Sequence, residues 1–196
     1  MSARTASSQR KTKETNITVS LNLDGTGKSS LSTRVGFFDH MLESFARHGL
    51  FDLEISCEGD LHVDAHHTIE DVGIVLGDAL KTALGKKEGI KRYGSCTLPM
   101  DEALVLCAVD LSGRPFFVED LRFSGEMMGD MPTQMVREFF YAVSYSAGMN
   151  LHFCQHRGNN DHHIAECAFK AFAKALDAAT QPEPRIAEAW STKGVL

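Results

Sequence analysis

His66-His67-Thr68-Ile69-Glu70 decides how this chain folds, because the same pattern returns at His162-His163-Ile164-Ala165-Glu166, 96 positions later. Each copy opens a run of apolar residues at helical spacing: Val72, Val75, Leu76, Ala79 and Leu80 in the first, Ala168, Ala171, Phe172, Ala175 and Leu176 in the second. An amphipathic helix is therefore predicted to begin at each motif. Residues three or four apart share a helix face, so each Glu can share a metal with one His of its own motif. Adjacent His residues diverge by about 100° around the axis, which argues against their gripping one ion together. Four imidazoles and two carboxylates thus suggest two metals. A single His pair at a helix start would read as solvated or capping, but neither solvation nor packing requires its repetition at one helical phase. Imidazole and carboxylate without thiolate suit manganese or iron(II), and also zinc.

The 196 residues favour one domain or two small halves. A formal net charge of -6 argues against a nucleic-acid partner, whose binding rests on a basic surface. Five scattered cysteines, odd in number and without a C-x-x-C pair, fit reduced thiols better than a disulfide framework. No apolar run is long enough to span a membrane, and the N-terminus lacks an apolar leader. The chain reads as cytoplasmic.

Residues 1–9, rich in Ser, Thr and Ala, read as a disordered lead-in. Ile17 to Leu23 alternates strictly and predicts a half-buried strand, with Glu14 just before it. A Glu there is ordinarily solvated. Thr33 to Phe38 suggests a second strand, and Phe37-Phe38-Asp39-His40-Met41-Leu42 opens a helix through His48, with Asp39 as N-cap and Gly49 as its end. His40 on its own reads as structural. Leu50 to Cys57 is a strand, Leu61 to Val63 a short one, and the first motif helix runs to Gly85. Further on, Leu104 to Asp110 and Arg114 to Leu121 read as strands, Ser124 to Pro132 as a loop, Met135 to Ala147 as a helix and Leu151 to Phe153 as the start of a strand. The second motif helix follows, with Asp161 as its N-cap, and stops before Pro182 and Pro184. Strands, helix, strand, helix appear once in each half, so the chain reads as an internal duplication. Residues 10–93 and 94–184 are the half-domains, 185–196 a tail. Each half buries two helices against one face of a mostly antiparallel sheet, an α+β fold.

Three basic clusters stand beside turn residues: Lys91-Arg92-Tyr93-Gly94, Ser112-Gly113-Arg114-Pro115 and Ser191-Thr192-Lys193-Gly194. Arg, Lys and hydroxyls near Gly make a phosphate or carboxylate site. Neither a P-loop nor a G-x-G-x-x-G follows a strand, so no nucleotide is indicated, and H-E-x-x-H is absent.

Taken together, Glu14-Thr15, Phe37 to Leu42, His66 to Asp71, Pro99-Met100-Asp101-Glu102-Ala103, Asp110 to Pro115, Asn160-Asp161-His162-His163 and Lys193-Gly194-Val195-Leu196 resemble the imidazoleglycerol-phosphate dehydratase family. The resemblance runs from about residue 10 to the C-terminus. It implies paired sheets enclosing a layer of helices, and a 24-subunit homo-oligomer built from trimers with active sites shared between subunits. It also implies conversion of imidazole glycerol phosphate to imidazole acetol phosphate in histidine biosynthesis, with two Mn2+ ions per site. Carried over by position, the metal ligands are His40, His66, His67, Glu70, His152, His162, His163 and Glu166, with His152 preferred to His156. Arg92, Arg114, Ser191, Thr192 and Lys193 hold the phosphate, although many members have two serines before the Lys where this chain has Ser191-Thr192. Two metals on the ring nitrogens would stabilise an imidazolate that expels the side-chain hydroxyl through a diazafulvene-like intermediate. Glu14 is then the hypothesised general acid/base, and His48 and Asp101 could orient neighbouring groups. A dinuclear hydrolase acting on a phosphorylated small molecule, and a metal store, are the alternatives the residues leave open.

Overall fold

The computed structural model describes residues 4–194. The first half runs β1 (Thr5–Lys11), β2 (Thr15–Asn22), β3 (Ser29–Ser32), α1 (Gly36–Gly49), β4 (Asp52–Gly59) and α2 (His66–Leu84). The second repeats it as β5 (Tyr93–Met100), β6 (Ala103–Asp110), β7 (Phe116–Val118), α3 (Met135–Ala147), β10 (Asn150–Arg157) and α4 (Asp161–Thr180), with a two-stranded ribbon, β8 (Met127–Met128) and β9 (Met131–Pro132), inserted before α3. The sheets have matching orders, β1-β2-β4-β3 and β5-β6-β10-β7. In each, the last pair is parallel and the others antiparallel. A parallel pair needs a crossover, which α1 and α3 supply. The duplicated α+β fold read from the sequence is the one observed.

Alternation explains which face of each sheet is covered. Ile17, Val19 and Leu21 of β2 are buried while the residues between them face out. Helix α2 packs on β1 and β2, α4 packs on β5 and β6, α2 meets α3, and α1 meets α4. The four helices therefore form one layer between two sheets. Its centre is aromatic: Phe38, Phe45, Phe139, Phe140, Phe169 and Phe172 are fully buried. The Phe139 and Phe169 rings stack at 5.2 Å and those of Phe45 and Phe172 at 5.4 Å, which joins α1, α3 and α4 across the duplication.

Several local expectations need correction. The lead-in is not disordered from Thr5 onward, because its polar residues form edge strand β1, hydrogen-bonded to β2 in register from Thr5–Asn22 to Lys11–Asn16; residues 1–3 lie outside the described residues. An edge strand can remain polar, which hid it from a hydrophobic pattern. The strand expected at 33–38 lies instead at Ser29–Ser32, and Leu61 to Val63 is a turn. β5 was not anticipated; it too is an edge strand and carries Pro99, tolerated there because an edge can spare a donor. Asp39 does not cap α1 but accepts from the Thr33 amide and hydroxyl at 3.0 and 2.8 Å. Among the described residues no helix is long and apolar enough to cross a membrane.

Gly73 and Gly77 let α2 approach α3 closely. A Cβ at Gly77 would lie 2.8 Å from the Val143 carbonyl oxygen and 3.0 Å from the Ala147 nitrogen, backbone atoms that move only if the helix moves. Gly77→Ala should therefore lower the thermal midpoint, with overpacking of about 1–3 kcal/mol outweighing a helix-propensity gain of about 1 kcal/mol. A raised midpoint would mean that the two helices are not held at this separation.

Candidate active site

Both His pairs sit at helix N-termini. In α4 the Asn160 side chain accepts from the His162 and His163 amides at 3.0 and 3.4 Å, so Asn160, not Asp161, is the N-cap. Asp161 instead accepts from the Ser124 and Gly125 amides and fixes the approach to the β8–β9 ribbon. In α2 the His66 amide donates to Asp64 Oδ1 at 2.8 Å. The two starts have nearly the same geometry: ring centroids are 6.1 Å apart in each pair, with interplanar angles of 74° and 83°.

The first His of each pair faces the Glu one turn on, His66 Nε2 lying 3.7 Å from Glu70 Oε2 and His162 Nε2 3.1 Å from Glu166 Oε2. The second His points elsewhere. His67 Nδ1 is 3.0 Å from Asp60 Oδ2, and His163 Nδ1 is 2.7 Å from Glu102 Oε2. The Asp60 carboxylate raises the pKa of His67, and Glu102 raises that of His163. The bond to His163 holds the Glu102 carboxyl at about 2.

His40 completes one cluster. Its Nε2 lies 3.4 Å from Glu166 Oε2, and ligand atoms of His40, His162 and Glu166 all fall within 4.8 Å of one another. Glu166 is buried; Lys170 Nζ engages its Oε1 at 2.6 Å and leaves Oε2 toward the histidines. Burial pushes its carboxyl upward, but Lys170, His162 and His40 outweigh this and the net shift is downward. The pose of His40 depends on the ribbon, whose Asp130 accepts from the Gly36 and Phe37 amides at 2.6 and 2.9 Å. The Phe37 ring in turn lies edge-on to His162 at 5.1 Å.

Among the described residues the remaining expected ligands do not join this group. His66 and Glu70 pair only with each other, and His152 is exposed on β10 between buried Leu151 and Phe153, on the sheet face away from the helices. Glu14 stands at the tip of the β1–β2 hairpin, its Oε1 3.9 Å from His67 Nε2 and its side chain 54% exposed. Below it the Thr15 hydroxyl and Arg10 both bind buried Asp71, which ties the hairpin to α2. The β5–β6 hairpin repeats the placement with Asp101, whose Oδ2 is 3.7 Å from His163 Nε2.

The five expected phosphate ligands do meet. Arg92, Arg114, Ser191, Thr192 and Lys193 line one cavity of about 480 Å³, with Tyr93, Ser112 and Trp190. Arg92 is largely committed within the chain, as Nε and Nη2 hold Asp110 at 2.6 and 3.1 Å and Nη1 donates to the Trp190 carbonyl at 2.7 Å. Its guanidinium lies 4.6 Å from the Tyr93 ring centre. Arg92 thus anchors the tail, leaving Arg114 and Lys193 the freer cations. Val195 and Leu196 lie outside the described residues.

Residues 33–176 match the family model described as imidazoleglycerol-phosphate dehydratase. A protein of that name from Lachnoclostridium phytofermentans is 62% identical over 193 residues, covering 98% of each chain. The chain belongs to the imidazoleglycerol-phosphate dehydratase family. Another relative of that name, from Acetivibrio thermocellus, is 60% identical over 95% of this chain and 96% of its own. The crystal structure of imidazoleglycerol-phosphate dehydratase from Staphylococcus aureus superposes with a TM-score of 0.83 at 38% identity, over 91% of this chain and 99% of that one. That from Pyrococcus furiosus, in complex with (S)-C348, gives 0.83 at 36% identity, over 96% and 99%. As an imidazoleglycerol-phosphate dehydratase family member the chain is a hydro-lyase, serving the dehydration step of histidine biosynthesis on a small phosphorylated imidazole.

Asp130 is the sequence-distant residue on which the aim of His40 rests. Burial would raise its carboxyl, but the Phe37 and Gly36 amides hold it below the ordinary 3.8. A depressed folded-state pKa stabilises above the unfolded value and is lost as pH falls through the folded one. Asp130→Ala should cost about 1 kcal/mol near neutrality, as a lost helix cap does, and the gap to the parent should close in acid. Urea unfolding of both proteins from pH 7 to pH 3 measures it, and a gap that widened in acid would refute the assignment.

Proposed function

We propose that the chain dehydrates imidazole glycerol phosphate to imidazole acetol phosphate at a two-manganese centre completed between copies of itself. The convergence of His40, His162 and Glu166 carries the metal reading, since nothing in packing requires two imidazoles around one buried carboxylate. The donors fit manganese: imidazole and carboxylate, with Cys57, Cys107 and Cys167 buried in the core rather than at the cluster. His66, His67, Glu70, His152 and His163 would supply the other positions. Bound there, two manganese ions would supply Lewis acidity toward the nitrogens of an imidazole ring.

Distance favours sharing between copies. The His pair of α4 lies at its N-terminus, whereas the Arg92 end of the anion cavity adjoins its C-terminus, where the Lys91 amide donates to the Gln181 carbonyl. A 20-residue helix is about 30 Å long, several times the reach of a small phosphorylated imidazole. One chain's anion cavity and its own His cluster therefore serve different substrate molecules. A trimer-based 24-mer is the assembly this reading adopts, in which His152, facing outward from its sheet, would serve a neighbour. The free cysteines fit a cytoplasmic setting.

Within the shared site Arg114, Lys193, Ser191 and Thr192 bind the phosphate, and Arg92 holds the tail that carries three of them. The hydroxyl leaves from the carbon beside the ring, Glu14 takes the proton from the next carbon, and the resulting enol gains a proton at the carbon beside the ring to give the ketone. Exposed in one chain, Glu14 would be enclosed by a second copy in the shared site.

Chelator-stripped protein should lose turnover of imidazole glycerol phosphate and regain it with manganese; release of inorganic phosphate instead of the acetol phosphate would favour a hydrolase. Glu14→Gln should retain metal and lose about 10²–10⁴-fold in kcat. Parental turnover by that variant would remove Glu14 from the chemistry.

A further inference from the structure

Asp60 and Glu102 are absent from the expected ligand set, yet each lies against the Nδ1 atom of the second His in one copy of the motif. Asp60 Oδ2 and Oδ1 lie 3.0 and 3.2 Å from His67 Nδ1, and Glu102 Oε2 lies 2.7 Å from His163 Nδ1. The duplication does not account for the coincidence. Asp60 follows β4 and stands seven residues from its His, whereas Glu102 lies on the β5–β6 hairpin, 61 residues away. Two different segments reach the same ring atom on the same motif position.

A carboxylate has no proton to give, so in each contact Nδ1 carries the hydrogen, which in the neutral ring leaves the lone pair on Nε2. On both rings Nε2 is turned toward the hairpin carboxylates, 3.9 Å from Glu14 and 3.7 Å from Asp101, and is engaged by neither in a hydrogen bond. We infer that Asp60 and Glu102 are positioning residues that fix the tautomer of His67 and His163, so that Nε2 of each is held as the metal-binding atom. This rests on the metal reading given above.

The two carboxylates differ in a way that makes the inference testable. Glu102 Oε1 is already occupied, accepting the Asn160 amide at 2.9 Å and the Asn159 amide at 3.3 Å. A Gln at that position must keep its carbonyl on those amides and therefore turn its NH2 toward Nδ1. That donor selects the opposite tautomer and puts the hydrogen on Nε2. Asp60 makes no other side-chain hydrogen bond among the described residues, so an amide there is free to turn its carbonyl to Nδ1–H. A purely structural role predicts that the two amides behave alike.

The test is manganese titration of chelator-stripped full-length protein, following the electron paramagnetic resonance signal of the free ion, with circular dichroism to confirm folding. Asp60→Leu should weaken manganese binding by roughly 10- to 100-fold, Asp60→Asn by less than about tenfold, and Glu102→Gln as much as Asp60→Leu. Parental affinity in Asp60→Leu, or equal affinity in Asp60→Asn and Glu102→Gln, would overturn the inference while leaving the metal site standing. A parent protein that takes up no manganese would overturn both.

Discussion

The fold and the site depend on how α2 and α4 are held in rotation by the sheets they cover. Ile69, Val72 and Leu76 of α2 and Ile164, Ala168, Phe172 and Ala175 of α4 are buried to within about 1% exposure. Turning either helix by one residue, about 100°, would bring polar side chains into that core. With the phase locked, the positions of the four histidines and two glutamates follow. The aromatic stack of Phe139 on Phe169 and Phe45 on Phe172 extends the lock across the two halves, so the His40 helix and the His162 helix cannot drift apart independently. Core packing here sets the geometry of the histidine and glutamate side chains at the helix starts.

Charge is arranged along the same axis. At the end of the layer where α2 and α4 begin, carboxylates and imidazoles gather: Glu14, Asp60, Glu70, Asp101, Glu102 and Glu166 with His40 and the two pairs. At the other end of α4, Arg92, Arg114 and Lys193 surround one cavity in a chain whose net charge is -6. The acidic group at one end and the basic group at the other, kept about a helix length apart, do not neutralise one another. The cost is that a single chain cannot apply both to one small molecule.

Much of this was legible in the sequence because it rested on periodic signals. The repeated His-His-x-x-Glu, the 3.6-residue pattern after it and the strict alternation of Ile17 to Leu23 each record burial directly. Turn chemistry singled out the three basic clusters that line one cavity, although they lie as far apart as Arg92 and Lys193, and the family resemblance selected five residues from them. What escaped had no period to show. β1 and β5 are edge strands whose residues need not be apolar, and their existence depends on the neighbouring strand. Asn160 outranked Asp161 as a cap because a contact with Ser124 and Gly125, distant in sequence, drew Asp161 away. Asp60 and Glu102 were invisible as partners of His67 and His163 for the same reason, since only the folded turns bring them within 3 Å.

The duplication also stops short of symmetry, and the difference is chemical. Glu166 is 7% exposed, has Lys170 on one oxygen and gains His40 as a third donor. Glu70 has Ile74 where Glu166 has Lys170, its side chain is 40% exposed, and among the described residues no third donor approaches it. An octahedral-leaning ion needs more than one imidazole and one carboxylate to displace its water shell. The two half-sites therefore begin from unequal positions: that of the second half is preorganised by its own chain, and that of the first is open. On the proposed metal reading, an ion at the open half would need donors from outside the chain, which would link metal affinity to association by mass action. On the two-metal reading proposed above, unequal half-sites from equal motifs would couple binding of the ions to assembly of the chain.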